Sequence, residues 1–139
     1  MTEKKVIDSN KYIDFVRQTT SPASTNYADL LSRLSQLEVE SDVDVPRLLT
    51  AALGISAEAG EFTEVVKKIF LQGKPYNDES VFHMKRELGD IMWYIAQACM
   101  ALDTNFDEIM KMNYEKLSAR YPEGAFDVYC SENRVEGDL

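Results

Sequence analysis

Two short acidic motifs carry the residues with the clearest capacity for chemistry. Each places two carboxylates three residues apart, and they read Glu58-Ala59-Gly60-Glu61 and Glu87-Leu88-Gly89-Asp90. On a helix, residues at this spacing share one face. Four carboxylates that converge between two helices repel one another unless a cation lies among them. The motifs therefore predict a shared metal site, and oxygen ligands without Cys or His favour Mg²⁺, with Mn²⁺ as a substitute.

Each motif also holds a glycine directly before its second acid, at Gly60 and Gly89. A glycine inside a helix costs about 1 kcal/mol of helix stability relative to alanine. Two glycines at matching positions therefore suggest that a side chain there would block the approach of another group. We expect another helix or a ligand to come close to the carboxylates at these positions. The alternative is that the acids form a solvated helix face, which is the usual meaning of one such motif alone.

Two other kinds of metal site do not fit the sequence. A di-iron carboxylate bundle uses Glu-x-x-His, but the only histidine, His83, does not stand three residues after a glutamate. An EF-hand loop starting at Asp103 would have Glu108 at its glycine position and Tyr114 at its closing glutamate position. We expect His83 to be a structural or surface residue, and the absence of a Ser/His/Asp or Cys/His set gives little support to side-chain nucleophilic catalysis.

A polar stripe on the last predicted helix could bind anions. Asn113, Lys116 and Arg120 are spaced to share one helix face. An amide, an ammonium and a guanidinium together suit phosphate oxygens. The alternative is an ordinary set of cations near a helix C-terminus, where the helix dipole favours them. Beside a four-acid metal site, phosphate binding is the better interpretation.

The elements that must position these residues are helices. The helical period and its caps predict a helix from Asp8 or Ser9, then helices over about Asn26–Leu37, Pro46–Leu71, Asn77 or Asp78 to Leu102, and Asn105–Arg120. Residues from Ala125 onward read as a polar tail with no assignable element. We expect an all-α bundle of about five helices in one domain, residues 1–139, with its core at about 26–126.

Composition excludes several classes of protein. The net charge of −9 and pI near 4.6 argue against a binder of nucleic-acid polymers. No apolar run approaches the ~20 residues that cross a bilayer, and the first residues lack the apolar region of a signal peptide. Cys99 and Cys130 show no pairing pattern, which fits reduced thiols in the cytoplasm.

The chain resembles the MazG-type nucleotide pyrophosphohydrolases of the all-α NTP pyrophosphatase superfamily. The two acidic motifs, separated by 25 residues, match the family signature E-x-x-E…E-x-x-D. The segment Asn113–Pro122, with its Lys-Leu-x-x-Arg-Tyr-Pro pattern, is also similar to the family. The resemblance covers about Leu48 to Phe126. It implies paired helices that assemble as a homodimer or dimer of dimers, and hydrolysis of nucleoside triphosphates to the monophosphate and pyrophosphate.

The resemblance also implies roles for individual residues. The implied Mg²⁺ ligands are Glu58, Glu61, Glu87 and Asp90. Lys116 and Arg120 match positions that act on the phosphates, and Asn113 matches a position beside them. Tyr94, one turn after Asp90, is placed to reach the ribose or base. Lys74, in a Gly-Lys-Pro turn, is a second candidate for phosphate binding, and Glu61 is our candidate for the base that activates water.

Several alternatives stay open on the sequence. Base specificity alone separates this activity from a related all-α diphosphohydrolase acting on deoxyuridine nucleotides or phosphoribosyl-ATP. A non-catalytic helical oligomer would keep the same apolar faces with solvated acids. The family includes house-cleaning and virus-encoded enzymes, and a virus-encoded one would act in the host cytoplasm. The third predicted helix has apolar residues beyond a single stripe, so we expect burial against a second subunit.

Overall fold

The computed structural model describes residues 8–138. These residues form six α-helices and one 3-10 turn, with no strand among them: α1 (Ser9–Thr19), the turn (Pro22–Ser24), α2 (Tyr27–Glu40), α3 (Val45–Gln72), α4 (Asp78–Ala101), α5 (Phe106–Arg120) and α6 (Val128–Glu132). The all-α prediction is confirmed. The chain divides into two compact units between Val43 and Asp44.

The N-terminal unit contains α1, the 3-10 turn and α2. Asp8 caps α1 by accepting a hydrogen bond from the Lys11 backbone N–H at 2.8 Å. Asn26 caps α2 in the same way, accepting from the Asp29 N–H at 3.1 Å. Both helix starts agree with the sequence prediction, because a capping side chain marks each one. Helix α2 runs about one turn further than predicted.

In the second unit, α3 and α4 form an antiparallel hairpin. Asp44 caps α3, which ends at Gly73 in a left-handed conformation with φ 75°. Asn77 caps α4, and the buried Ser80 hydroxyl donates to the Pro75 carbonyl at 2.6 Å, which holds the turn between the helices. The four predicted ends of these helices lie within one residue of the observed ends.

The core of the hairpin is made of small and medium side chains. Ala51 and Val65 on α3 and Cys99 on α4 are its buried hydrophobic residues among those described. At the open end, the Arg47 Nη1 group donates to Gln97 Oε1 at 2.7 Å. The helices therefore lie close along much of their length, with small residues permitting the approach.

Helices α5 and α6 complete the second unit, but neither forms a large interface with α3 or α4. Asn105 caps α5 by accepting from the Glu108 N–H at 2.9 Å, as the predicted start requires. Helix α6 was not predicted; Asp127 caps it by accepting from the Cys130 N–H at 2.8 Å. Five residues are too few to display a helical period.

Many large apolar side chains of the second unit lie on its surface. Within residues 44–138, α3 and α4 pack along each other, and α5 has no comparable interface with either helix. Side chains more than half exposed include Leu49, Leu53, Phe70, Met92, Trp93, Met110 and Tyr114. No helix in the described part of the chain is both long and apolar enough to cross a membrane.

Candidate active site between the two long helices

Three of the four predicted metal ligands meet at the interface of α3 and α4. One carboxylate oxygen from each of Glu58, Glu87 and Asp90 lies within 4.8 Å of the others. Glu58 comes from α3 and the other two from α4, so the antiparallel hairpin itself creates the cluster. Glu58 and Glu87 are half-buried, and Asp90 is exposed. Three close carboxylates with one open side suit a hard cation such as Mg²⁺ or Mn²⁺.

Glu61, the fourth predicted ligand, stands at the edge of this group. It lies on α3 one turn beyond Glu58 and is exposed. Its carboxylate is outside the set of mutually close oxygens, yet its charge contributes to raising the pKa of Glu58. Glu61 is therefore near enough to act on the cluster while remaining accessible to solvent.

The electrostatics of the cluster favour a bound cation. The pKa of Glu58 is raised, first by desolvation and then by the negative charges of Asp90 and Glu87. A hydrogen bond between Glu58 and Glu87 and the charge of Glu61 act in the same direction. A divalent cation would favour the ionised carboxylates, because each of these repulsions would be offset by attraction to the ion.

His83 contacts the cluster from one turn earlier on α4. Its Nε2 atom lies 2.9 Å from Glu87 Oε1, and the Glu87 side chain is only 12% exposed. The sequence interpretation left His83 without a role at the site. The spacing of His83 and Glu87, four residues apart on a helix, was the signal that could have revealed the contact.

Two aromatic residues form a wall beside the acids. Trp93 and Tyr94 line a cavity of about 360 Å³ together with Glu58 and Asp90. The two rings meet edge to face, with centroids 4.9 Å apart. The structure therefore places Tyr94 beside Glu58 and Asp90, together with Trp93, which the sequence interpretation did not select.

Gly54 is the glycine that permits a close approach. A Cβ atom added there would lie 2.0 Å from Cδ1 of Tyr94, so the tyrosine ring packs directly on the α3 backbone. Within residues 8–138, and apart from the glycine's neighbours in its own helix, no atom comes within 4 Å of such a Cβ at Gly60 or Gly89. The α4 acids do come close to Glu58, but the described part of this chain leaves the space beside these two glycines open. Approach by a ligand at Gly60 and Gly89 stays a prediction.

The predicted phosphate-binding cations meet at Asp138. Arg120 donates from Nε to Asp138 Oδ2 at 2.5 Å and from Nη2 to Oδ1 at 2.7 Å. Lys116 Nζ lies 3.4 Å from the same Oδ1 atom. Hydrogen bonding to Arg120, with Lys116 adding to the effect, lowers the pKa of Asp138 to about 2. Sequence reasoning missed Asp138, because an interaction across 18 residues leaves no local pattern.

The remaining predicted site residues lie away from the acids. Asn113 lines a separate groove of about 700 Å³ that also includes Tyr114, Tyr121 and Phe126. Lys74 directly follows Gly73, the residue that ends α3. Gly73 is twelve residues after Glu61, which corresponds to roughly 18 Å along the helix axis, so Lys74 lies far from the acids along α3. Within one chain, the structure thus groups the acids with Tyr94 and groups Lys116 with Arg120.

Comparison with known proteins identifies the family. Residues 47–125, which contain both acidic motifs and α5, match the profile of the MazG nucleotide pyrophosphohydrolase domain. The chain is also 38% identical over 74 residues to the Gene 37 protein of Mycobacterium phage L5. That alignment covers 52% of this chain and 64% of the phage protein. No solved structure gives a significant match. Because the domain profile covers more than half of its length, the chain belongs to the MazG nucleotide pyrophosphohydrolase family.

Proposed function

We propose that this protein hydrolyses nucleoside or deoxynucleoside triphosphates to the monophosphate and pyrophosphate in a Mg²⁺-dependent reaction. The observation that carries the proposal is the carboxylate cluster of Glu58, Glu87 and Asp90, within 4.8 Å, inside a MazG domain. Glu61 completes the proposed set of four acids from the edge of the cluster. Mn²⁺ is a chemically reasonable substitute, because it accepts the same oxygen ligands.

The chemistry follows from the charges involved. A triphosphate is highly anionic and resists attack by the lone pair of a water molecule. The metal supplies charge neutralisation and a more acidic water near neutral pH. Glu61 is the proposed base, because it is exposed and lies outside the tight carboxylate set. Glu61 would accept a proton from the water, the water oxygen would bond to the α-phosphorus, and the P–O bond between the α-phosphorus and the α–β bridging oxygen would break so that pyrophosphate departs.

Cationic groups would stabilise the charge on the phosphates. Lys116 and Arg120 are proposed for this role, with Asn113 beside them, because charged donors strengthen as negative charge builds on phosphate oxygens. Lys74 is a weaker candidate. At the other end of the substrate, Tyr94 and Trp93 offer an apolar wall next to the acids, which suits the ribose or base.

We also propose that a homodimer, or a dimer of dimers, completes the site. Helix α5 has no interface with α3 or α4 comparable to the one between those two helices within residues 44–138, and large apolar side chains such as Leu53 and Trp93 are exposed. A soluble monomer rarely leaves so much apolar surface uncovered. A symmetric pairing would bury these residues and bring α5 or Lys74 of one subunit toward the acids of the other.

The origin of the protein bears on where it acts. The similarity to a phage protein supports a virus-encoded origin, and we propose action in the cytoplasm of the host cell in that case. The proposed partners are a nucleotide substrate and further copies of the chain, without a nucleic-acid polymer or a membrane. The net charge of −9 supports the first exclusion.

A substrate panel tests the proposal. Canonical and modified nucleoside triphosphates, deoxyuridine nucleotides and phosphoribosyl-ATP should be incubated with Mg²⁺, with separate detection of pyrophosphate and orthophosphate. We expect equal amounts of monophosphate and pyrophosphate from at least one triphosphate and none in the presence of a chelator. Turnover limited to dUDP or phosphoribosyl-ATP would instead support the related diphosphohydrolases. Absence of turnover on every compound would favour a non-catalytic helical oligomer.

A further inference from the structure

We propose that Asp138 is a positioning residue for the phosphate-binding cations, holding Arg120 and Lys116 in a fixed orientation toward one phosphate site. The inference rests on the proposed function, because it assigns a second layer of contacts to residues proposed to bind substrate. The Asp138 side chain itself would not touch the nucleotide.

The geometry of the ion pair supports this role. The Asp138 carboxylate takes the Nε–Nη2 edge of the Arg120 guanidinium with two hydrogen bonds. Bidentate pairing of this kind fixes the plane of the guanidinium. The guanidinium carries five N–H donors, of which Asp138 takes two, and Tyr121 is a further hydrogen-bond partner, so the group can still donate to an anion. Lys116 approaches the same carboxylate oxygen, which sets the spacing of the two cations.

The burial of the three side chains indicates whether Asp138 positions the cations or competes with phosphate for them. The Asp138 side chain is 3% exposed, that of Arg120 is 14% exposed, and that of Lys116 is 40% exposed. A phosphate that replaced Asp138 would first have to pull a buried carboxylate out of its place between two cations. A phosphate that joined the cations from the side of Lys116 would meet accessible donors.

The chain conformation near Asp138 holds its carboxylate in place. Gly137 adopts a left-handed conformation with φ 86°, and the Asp138 N–H donates to the Val135 carbonyl at 3.1 Å. This tight turn returns the chain to α5 after α6. The Arg120–Asp138 pair therefore holds together the two ends of the segment between these residues. This segment includes Tyr121 and Phe126, whose ring centroids are 5.9 Å apart.

Binding of inorganic pyrophosphate tests the proposal independently of turnover. The Asp138→Asn variant keeps the shape of the side chain and removes its charge, and calorimetry should show pyrophosphate binding weakened by about tenfold. Asp138→Glu should recover part of the loss. Glu136→Gln, which removes an exposed carboxylate two residues away, is the matched control and should bind as the wild type does.

A double variant shows whether Asp138 acts through Arg120. If it does, adding Asp138→Asn to Arg120→Gln should cause little further loss of pyrophosphate binding. This variant also removes both charges of the pair, so no uncompensated buried charge threatens its folding. In turnover assays, Asp138→Asn should raise KM more than it lowers kcat.

The outcomes separate this proposal from the proposed function. Tighter pyrophosphate binding by Asp138→Asn would overturn positioning and indicate competition by the carboxylate. Unchanged binding would show a purely structural pair, and a wild-type protein that binds no pyrophosphate would also overturn the inference. Wild-type protein that binds pyrophosphate but turns over no nucleotide would contradict the proposed function while leaving the positioning role supported by the variants.

Discussion

Replacing Gly54 by alanine should disturb both the helix hairpin and the candidate site. The added Cβ atom would lie 2.0 Å from the Tyr94 ring, whereas ordinary contact begins at 3.4 Å. The ring or the helices must therefore move by more than an ångström. Overpacking of this kind costs about 1–3 kcal/mol. Alanine returns about 1 kcal/mol through its higher helix propensity. We expect a net loss of about 0–2 kcal/mol in the free energy of unfolding.

Two other glycines of the same helices supply matched controls. A Cβ atom at Gly60 or Gly89 meets no described residue outside its own helix segment within 4 Å, so alanine there should stabilise the protein by up to about 1 kcal/mol. Urea unfolding of all three variants at one protein concentration measures the difference, which should be about 1–3 kcal/mol between Gly54→Ala and either control. Gly54→Ala should also raise KM, since Tyr94 lines the cavity beside the acids.

The stability and the KM of the glycine variants together can refute the described packing of Tyr94. If Gly54→Ala is as stable as Gly60→Ala and keeps the wild-type KM, then Tyr94 does not pack on the α3 backbone as described. If Gly60→Ala or Gly89→Ala is stabilised but loses activity, a ligand or second subunit occupies the space beside that glycine.

Three further predictions concern charge and assembly. The folded state raises the pKa of Glu58 above its unfolded value of 4.5, so ionised Glu58 costs stability as pH rises through the folded pKa. Glu58→Gln should therefore raise the Tm of metal-free protein at pH 7, with a gain that vanishes below pH 4.5; a constant gain across this range would contradict the argument. Lys116→Ala and Arg120→Ala should each lower kcat/KM about ten- to a hundredfold while circular dichroism stays helical, and an unaffected kcat/KM would exclude that residue from phosphate binding. Light scattering should show at least a dimer at micromolar concentration, and a stable, active monomer would exclude the proposed assembly.

The positions of the helices could be predicted from the sequence because the residues that begin and end a helix act locally. Asp8, Asn26, Asp44 and Asn77 cap the helices at the predicted starts, and Gly73 ends α3. The metal-site prediction depended on spacing as well, since acids three residues apart must share a helix face. An antiparallel hairpin then suffices to bring Glu58 together with the acids of α4.

What the sequence could not predict depends on distant contacts. The role of Gly54 requires knowledge that Tyr94 lies across the hairpin, and glycine spacing pointed to Gly60 and Gly89 instead. The pairing of Arg120 with Asp138 joins residues separated by a loop and a short helix. Such pairs depend on the path of the backbone between them, which no local periodicity encodes.

The most direct measurement of the central claim is pyrophosphate release by four single-acid variants. Glu58→Gln, Glu61→Gln, Glu87→Gln and Asp90→Asn should each lose turnover with Mg²⁺ by about a hundredfold or more while remaining helical, because each removes a charge or ligand from one shared site. Glu64→Gln is the control, since Glu64 pairs with Lys67 and Lys68 on the same helix and should stay active. Retained turnover in two or more of the four variants would contradict a shared metal site.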